Sequence, residues 1–151
     1  MLVAPHFLVG VAIATYVPEA GPAVLVTLAS HFVLDSIPHR DTIGGFHVSK
    51  INIIMESFDA LVALGIFFLL VPVRSWLYVF TIGATGMLPD VIEIVGLFFP
   101  RWYTLPIIKG FHLWHTQEIQ PERRGMNWFW GLLPQFLAIG VAVYFLTMKP
   151  L

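Results

Sequence analysis

A chain of 151 residues that is 58% apolar and 11% charged, with a mean hydropathy of +0.82, excludes an ordinary soluble domain and points to an all-α, polytopic membrane protein. The lack of cysteine excludes disulfides and thiolate ligands, so any metal must be held by nitrogen and oxygen. A formal net charge of −1 without a long basic run excludes nucleic acid as a partner.

With roughly 20 residues needed to cross a bilayer, the apolar runs at 2–17, 20–37, 53–73, 75–99 and 127–147 predict about five transmembrane helices in a single transmembrane domain over 1–151. The first run lacks a basic start and carries His6, so it reads as a retained helix and not a cleaved signal peptide. Pro18 and Pro22 punctuate the first break, Pro38 opens the second, Pro72 marks the third and Pro100 begins the fourth.

Five crossings place the N-terminus and the polar stretches 38–52 and 100–126 on one side. Arg40, Lys50, Arg101, Lys109, Arg123 and Arg124 lie there, against Arg74 and Lys149 opposite. The positive-inside rule makes that side cytoplasmic. An offset of 55 residues matches Gly10, Ala29, Ser30 and Asp35 to Gly65, Ala84, Thr85 and Asp90, which suggests duplicated helical hairpins.

Chemistry concentrates at the end of the second run, where His31, Asp35 and His39 recur every fourth residue. On a helix His31 and Asp35 share a face and can grip one ion from adjacent turns. Pro38 ends the ladder and leaves His39 at a bend from which its ring can turn back. A polar pair bonding only to itself is the competing reading, but the density of further ionisable groups at membrane depth favours a metal. Those groups are His6, Glu56 with Asp59, Asp90 with Glu93, and His112 with His115, each pair spaced i, i+3. A divalent cation lets several such carboxylates stay ionised together. Glu56 is the candidate general base. His47, after Gly44 and Gly45, reads as a solvated loop histidine. Trp76, Trp102, Trp114, Trp128, Trp130, Tyr78 and Tyr103 read as an interfacial belt without catalytic work, and the small residues from Gly83 to Gly86 as a helix-packing surface.

The order His6-x3-Gly10, Asp35 followed by Pro38-His39-Arg40, then Leu88-Pro89-Asp90 and His112-x2-His115-Thr116 resembles the small inner-membrane metal-dependent hydrolases of the LexA-binding hydrolase type. The likeness runs to about Thr116. The pair His31 and Asp35 is also similar to the His-x3-Asp pair of zinc-dependent phospholipase C. The chain departs from the membrane family's Pro-Asp-x-Asp and His-Arg-x2-Thr-His elements, having Val91 and Ile92 after Asp90 and the order His115-Thr116.

The resemblance implies a hydrolase acting on a membrane substrate in an inner (plasma) membrane of bacterial or archaeal type. Its metal ligands would come from His6, His31, Asp35, His39, Asp59, Asp90, His112 and His115, around one or two ions, zinc first and manganese second. Arg40 and Arg101 would receive a lipid phosphate as bidentate partners, and the metal would activate water. Two other classes use the same residues differently: a transporter of protons or divalent metals, and a structural subunit of a larger membrane complex.

Overall fold

The structure, a computed structural model, describes residues 1–40, 49–120 and 126–148. Among these the chain is all-helical: α1 (Val3–Tyr16), α2 (Ala20–Ser36), α3 (Lys50–Leu70), α4 (Trp76–Thr85), α5 (Leu88–Phe98), α6 (Pro106–Leu113) and α7 (Trp128–Met148). Short 3-10 turns at Val73–Ser75 and Pro100–Thr104 and a π-helical turn at Trp114–Ile119 join them.

The expected five crossings are not what the helix lengths support. Among the described residues only α3 and α7 are long and apolar enough to cross a membrane, or three spans if the bent pair at Val73–Thr85 and Leu88–Phe98 counts as one. The 75–99 run divides because the chain turns by 62° after Thr85, and Pro89 falls in the first turn of α5, where its missing N–H is harmless. With a rise of about 1.5 Å per residue, α1 would extend about 21 Å against about 30 Å of hydrocarbon.

α1 is instead the hub. Ten of its 14 residues are buried, compared with three of 21 in α3 and four of 21 in α7. It packs against α2, α3, α4 and α7, and Phe7, Leu8 and Val11 meet Phe67, Val79, Ile82, Ala142 and Leu146 in the main apolar cluster. A helix end at such depth has no water for its orphan amides. The two long helices supply partners: the Leu2 N–H donates to Gln135 Oε1 at 3.0 Å and the Ala4 N–H to Asp59 Oδ2 at 2.6 Å. At the other end of α1, Tyr78 Oη donates to the Val17 carbonyl at 2.6 Å.

In the two hairpins proposed as duplicates the first helices differ, α1 being core and α3 largely exposed, whereas α2 and α4 bury similar shares, five of 17 and three of 10 residues. Their offset nevertheless recurs in space. Ala4 bonds Asp59, His31 bonds Gly86, and Asp35 and Asp90 converge.

The candidate metal centre

His31 and Asp35 face the same way from adjacent turns of α2, with Nε2 of His31 3.1 Å from Oδ2 of Asp35. Nδ1 of His31 lies 2.7 Å from the Gly86 carbonyl, which can only accept, so the ring proton is on Nδ1. Nε2 therefore presents a lone pair to a carboxylate oxygen. A pair of acceptors buried in contact is satisfied by a proton or by a metal ion between them.

The chain brings two more donors to that point. The bend after Thr85 points the first turn of α5 at α2, placing Asp90 Oδ1 3.7 Å from His31 Nε2. The π-helical turn after α6 adds a residue to the turn and swings His115 inward, its Nε2 3.0 Å from Asp35 Oδ2 and 3.3 Å from His31 Nε2. Nitrogen and oxygen donors about 2.0–2.1 Å from a tetrahedral ion stand about 3.3–3.4 Å apart. The observed separations of 3.0, 3.1, 3.3 and 3.7 Å scatter around that edge. Together these four residues can hold a metal ion, all four ligand atoms lying within 4.8 Å of one another.

His6 lines the opposite flank of both carboxylates. Its Nε2 is 3.1 Å from Asp35 Oδ1 and 4.0 Å from Asp90 Oδ2, and its ring stacks on His31 at 4.1 Å. The Met1 amine also bonds Asp35 Oδ1. His6, His31, Asp35 and His115 are all buried, whereas the Asp90 side chain keeps 27% exposure and marks the open side. Burial disfavours a charged His115, but its interactions with Asp35 and Glu93 and the nearby negative charge outweigh that and raise its pKa to about 9.

Other residues expected at the metal lie elsewhere. His112 turns its Nδ1 to Glu93 Oε2 at 2.5 Å. The residue before Pro38 is extended, as proline demands, so His39 points away; its Nδ1–H donates to the Ile37 carbonyl at 2.7 Å and its Nε2 accepts from Gln120 at 2.8 Å. Asp59 caps α1. Glu56, one turn earlier on α3 and half-buried, is outside the group. Arg40 donates to the Met126 carbonyl at 2.9 Å and lies over the Trp128 ring, tying the end of α2 to α7. Arg101 is exposed after α5. His47, Arg123 and Arg124 lie outside the described residues.

Two participants had no signal in the sequence: the Gly86 carbonyl that fixes the His31 tautomer, and Tyr103. Burial, the charge of Glu93 and the bond to it push the Tyr103 phenol up to about 12. No protein-family model, curated protein or solved structure matches the chain.

Proposed function

We propose that this chain is a membrane-embedded metal-dependent hydrolase that attacks a phosphate ester of a lipid with metal-activated water, from a site on the cytoplasmic side of an inner membrane. The observation that carries the reading is the trio of His31 Nε2, Asp35 Oδ2 and His115 Nε2, held 3.0–3.3 Å apart with partly exposed Asp90 beyond them. Three protein donors with one open side match the arrangement of catalytic zinc, and an ion held by His31, Asp35 and His115 would supply a bound water with a pKa lowered to about 7.

Asp35 and Asp90 each turn one oxygen toward His31 and the other toward His6. A second ion would draw on His6 together with the same two carboxylates, and a pair of ions would supply two-metal phosphoryl chemistry. An apolar groove of about 370 Å³ favours a lipid substrate. Val3 and Phe7 of α1, Ala60 and Leu64 of α3, and Leu88 and Val91 on either side of Pro89 and Asp90 help to line it. A hydrocarbon chain lying there would be held beside the helical turn that carries Asp90. The similarity to small inner-membrane hydrolases points the same way. Conduction is less favoured, because between His6 and Tyr16 α1 has no carboxylate or imidazole and buries Phe7, Leu8 and Val11.

The test is metal content and hydrolysis by protein purified in detergent, with a panel of phosphate monoesters and diesters of lipids. The expected result is one or two equivalents of zinc or manganese and activity that disappears in Asp35→Ala. Metal-free wild-type protein that stays inert after reconstitution with zinc would overturn the proposal.

A further inference from the structure

We infer that Glu93 fixes the orientation of His115 at the metal, and that His112, Tyr103 and Gly96 hold Glu93 for that task. This rests on the metal reading of the His31, Asp35, Asp90 and His115 cluster.

His115 has two ring nitrogens, and the cluster uses only Nε2. Nδ1 is buried, 3.8 Å from Glu93 Oε1, and neither atom has a hydrogen-bond partner among the described residues. Two buried, unpartnered groups of complementary chemistry that face each other form an N–H···O bond with a shift of less than about 1 Å. The opposite oxygen of Glu93 is already anchored. Oε2 contacts Nδ1 of His112 at 2.5 Å and accepts from Tyr103 Oη at 3.1 Å, and the same hydroxyl reaches the Glu93 carbonyl at 3.0 Å. One oxygen is thus fixed from outside while the other is left for His115.

A carboxylate behind a metal-binding imidazole keeps the proton on the far nitrogen and the lone pair on the ligating one, and makes that nitrogen a better donor. The ring faces need no further restraint: Phe111 stacks on His115 at 5.4 Å and Phe32 meets it edge-on at 5.9 Å. Only rotation within the ring plane and the choice of tautomer remain, and Glu93 settles both. The support is built into α5. Gly96 lies three residues after Glu93, and the Tyr103 ring occupies the space that a Cβ at Gly96 would need. Glycine is what lets the phenol come down onto the helix and reach Glu93.

Glu93→Gln keeps the shape and removes the charge. Metal affinity is measured by competition with a chelating dye, and coordination by the visible spectrum of the cobalt-substituted protein and the ¹⁵N ring shifts of His115. Glu93→Gln is expected to weaken zinc about 10- to 100-fold, the range for partners behind metal ligands, and to change both spectra. Gly96→Ala, which displaces only the Tyr103 ring, is expected to shift the spectra in the same direction with a smaller loss. Zinc affinity in Glu93→Gln within about twofold of wild type, or a lower melting point with unchanged spectra, would overturn this inference while leaving the metal centre standing. A wild-type protein that binds no metal would overturn the centre and this inference together.

Discussion

The Gly86 carbonyl accepts a 2.7 Å bond from Nδ1–H of His31 and so aims the Nε2 lone pair at Asp35 Oδ2. A backbone acceptor cannot change tautomer or titrate, so the direction of the lone pair is a property of the fold. The bend after Thr85 that delivers this carbonyl also delivers Asp90, so one break in a helix places two of the determinants of the site. Asp35 is the common partner, its Oδ2 facing His31 and His115 and its Oδ1 facing His6.

Asp35→Asn should therefore have the largest effect of any single isosteric change. It removes the charge shared by three imidazoles, and the loss of metal affinity should exceed the roughly 10- to 100-fold typical of a partner lying behind a ligand. Equilibrium dialysis against radioactive zinc reads this directly. Retention of wild-type affinity would remove Asp35 from the centre.

His6→Ala separates one ion from two. If Asp35 and Asp90 bridge, His6→Ala should fall from two equivalents to one while His31→Ala loses the ion held by His115. Elemental analysis of the two variants side by side decides it, and equal stoichiometry in wild type and His6→Ala would leave His6 as a partner of Asp35 alone.

Metal uptake should be steeply dependent on pH. His115 must lose a proton before Nε2 can ligate, and its pKa in the metal-free protein is raised to about 9. Protons compete below that value, so apparent affinity should rise by up to about tenfold per pH unit from pH 7 to 8 and level off above about 9. Competition titrations with a chelator of known pH dependence would show it; a flat response over that range would mean that His115 binds metal without giving up a proton.

The legible part of the site was the part governed by the α-helical period. His31 and Asp35 are four apart on a regular helix, so their convergence followed from spacing alone. His112 and His115 looked like a second such pair of ligands, but across the π-helical turn beginning at Trp114 only His115 turns its Nε2 to Asp35, while His112 stops at Glu93, which His115 faces through Nδ1. Asp59 looked like a ligand because a carboxylate in a span usually marks a site. Its role is to cap the buried start of α1, a need visible only once α1 is known to end inside the protein. Five spans were expected where helix length and composition support two or three among the described residues, for a related reason: a core helix wrapped by others is as apolar as one that crosses a membrane.

Asp59→Ala should accordingly separate scaffold from site. Loss of a capping carboxylate costs about 0.5–2 kcal/mol, so the thermal midpoint in detergent should fall by a few degrees while zinc stoichiometry stays at the wild-type value. A variant that keeps its midpoint but loses zinc would reassign Asp59 to the metal.

Gly86→Ala tests the relationship between Gly86 and His31 itself, because the carbonyl cannot be removed by mutation but its position can be shifted. A Cβ at Gly86 would stand 2.8 Å from the His6 carbonyl oxygen and 3.1 Å from the Thr27 side chain. The first of these is backbone of the central helix and cannot move aside cheaply, so α4 must retreat from α1. Overpacking of this kind costs about 1–3 kcal/mol, and the retreat lengthens the bond that fixes the His31 tautomer. Zinc affinity should fall together with stability, and the ¹⁵N shifts of His31 should show a mixture of Nδ1–H and Nε2–H forms in the metal-free protein. A variant that loses stability with the His31 ring still wholly in the Nδ1–H form would show that another group sets the tautomer.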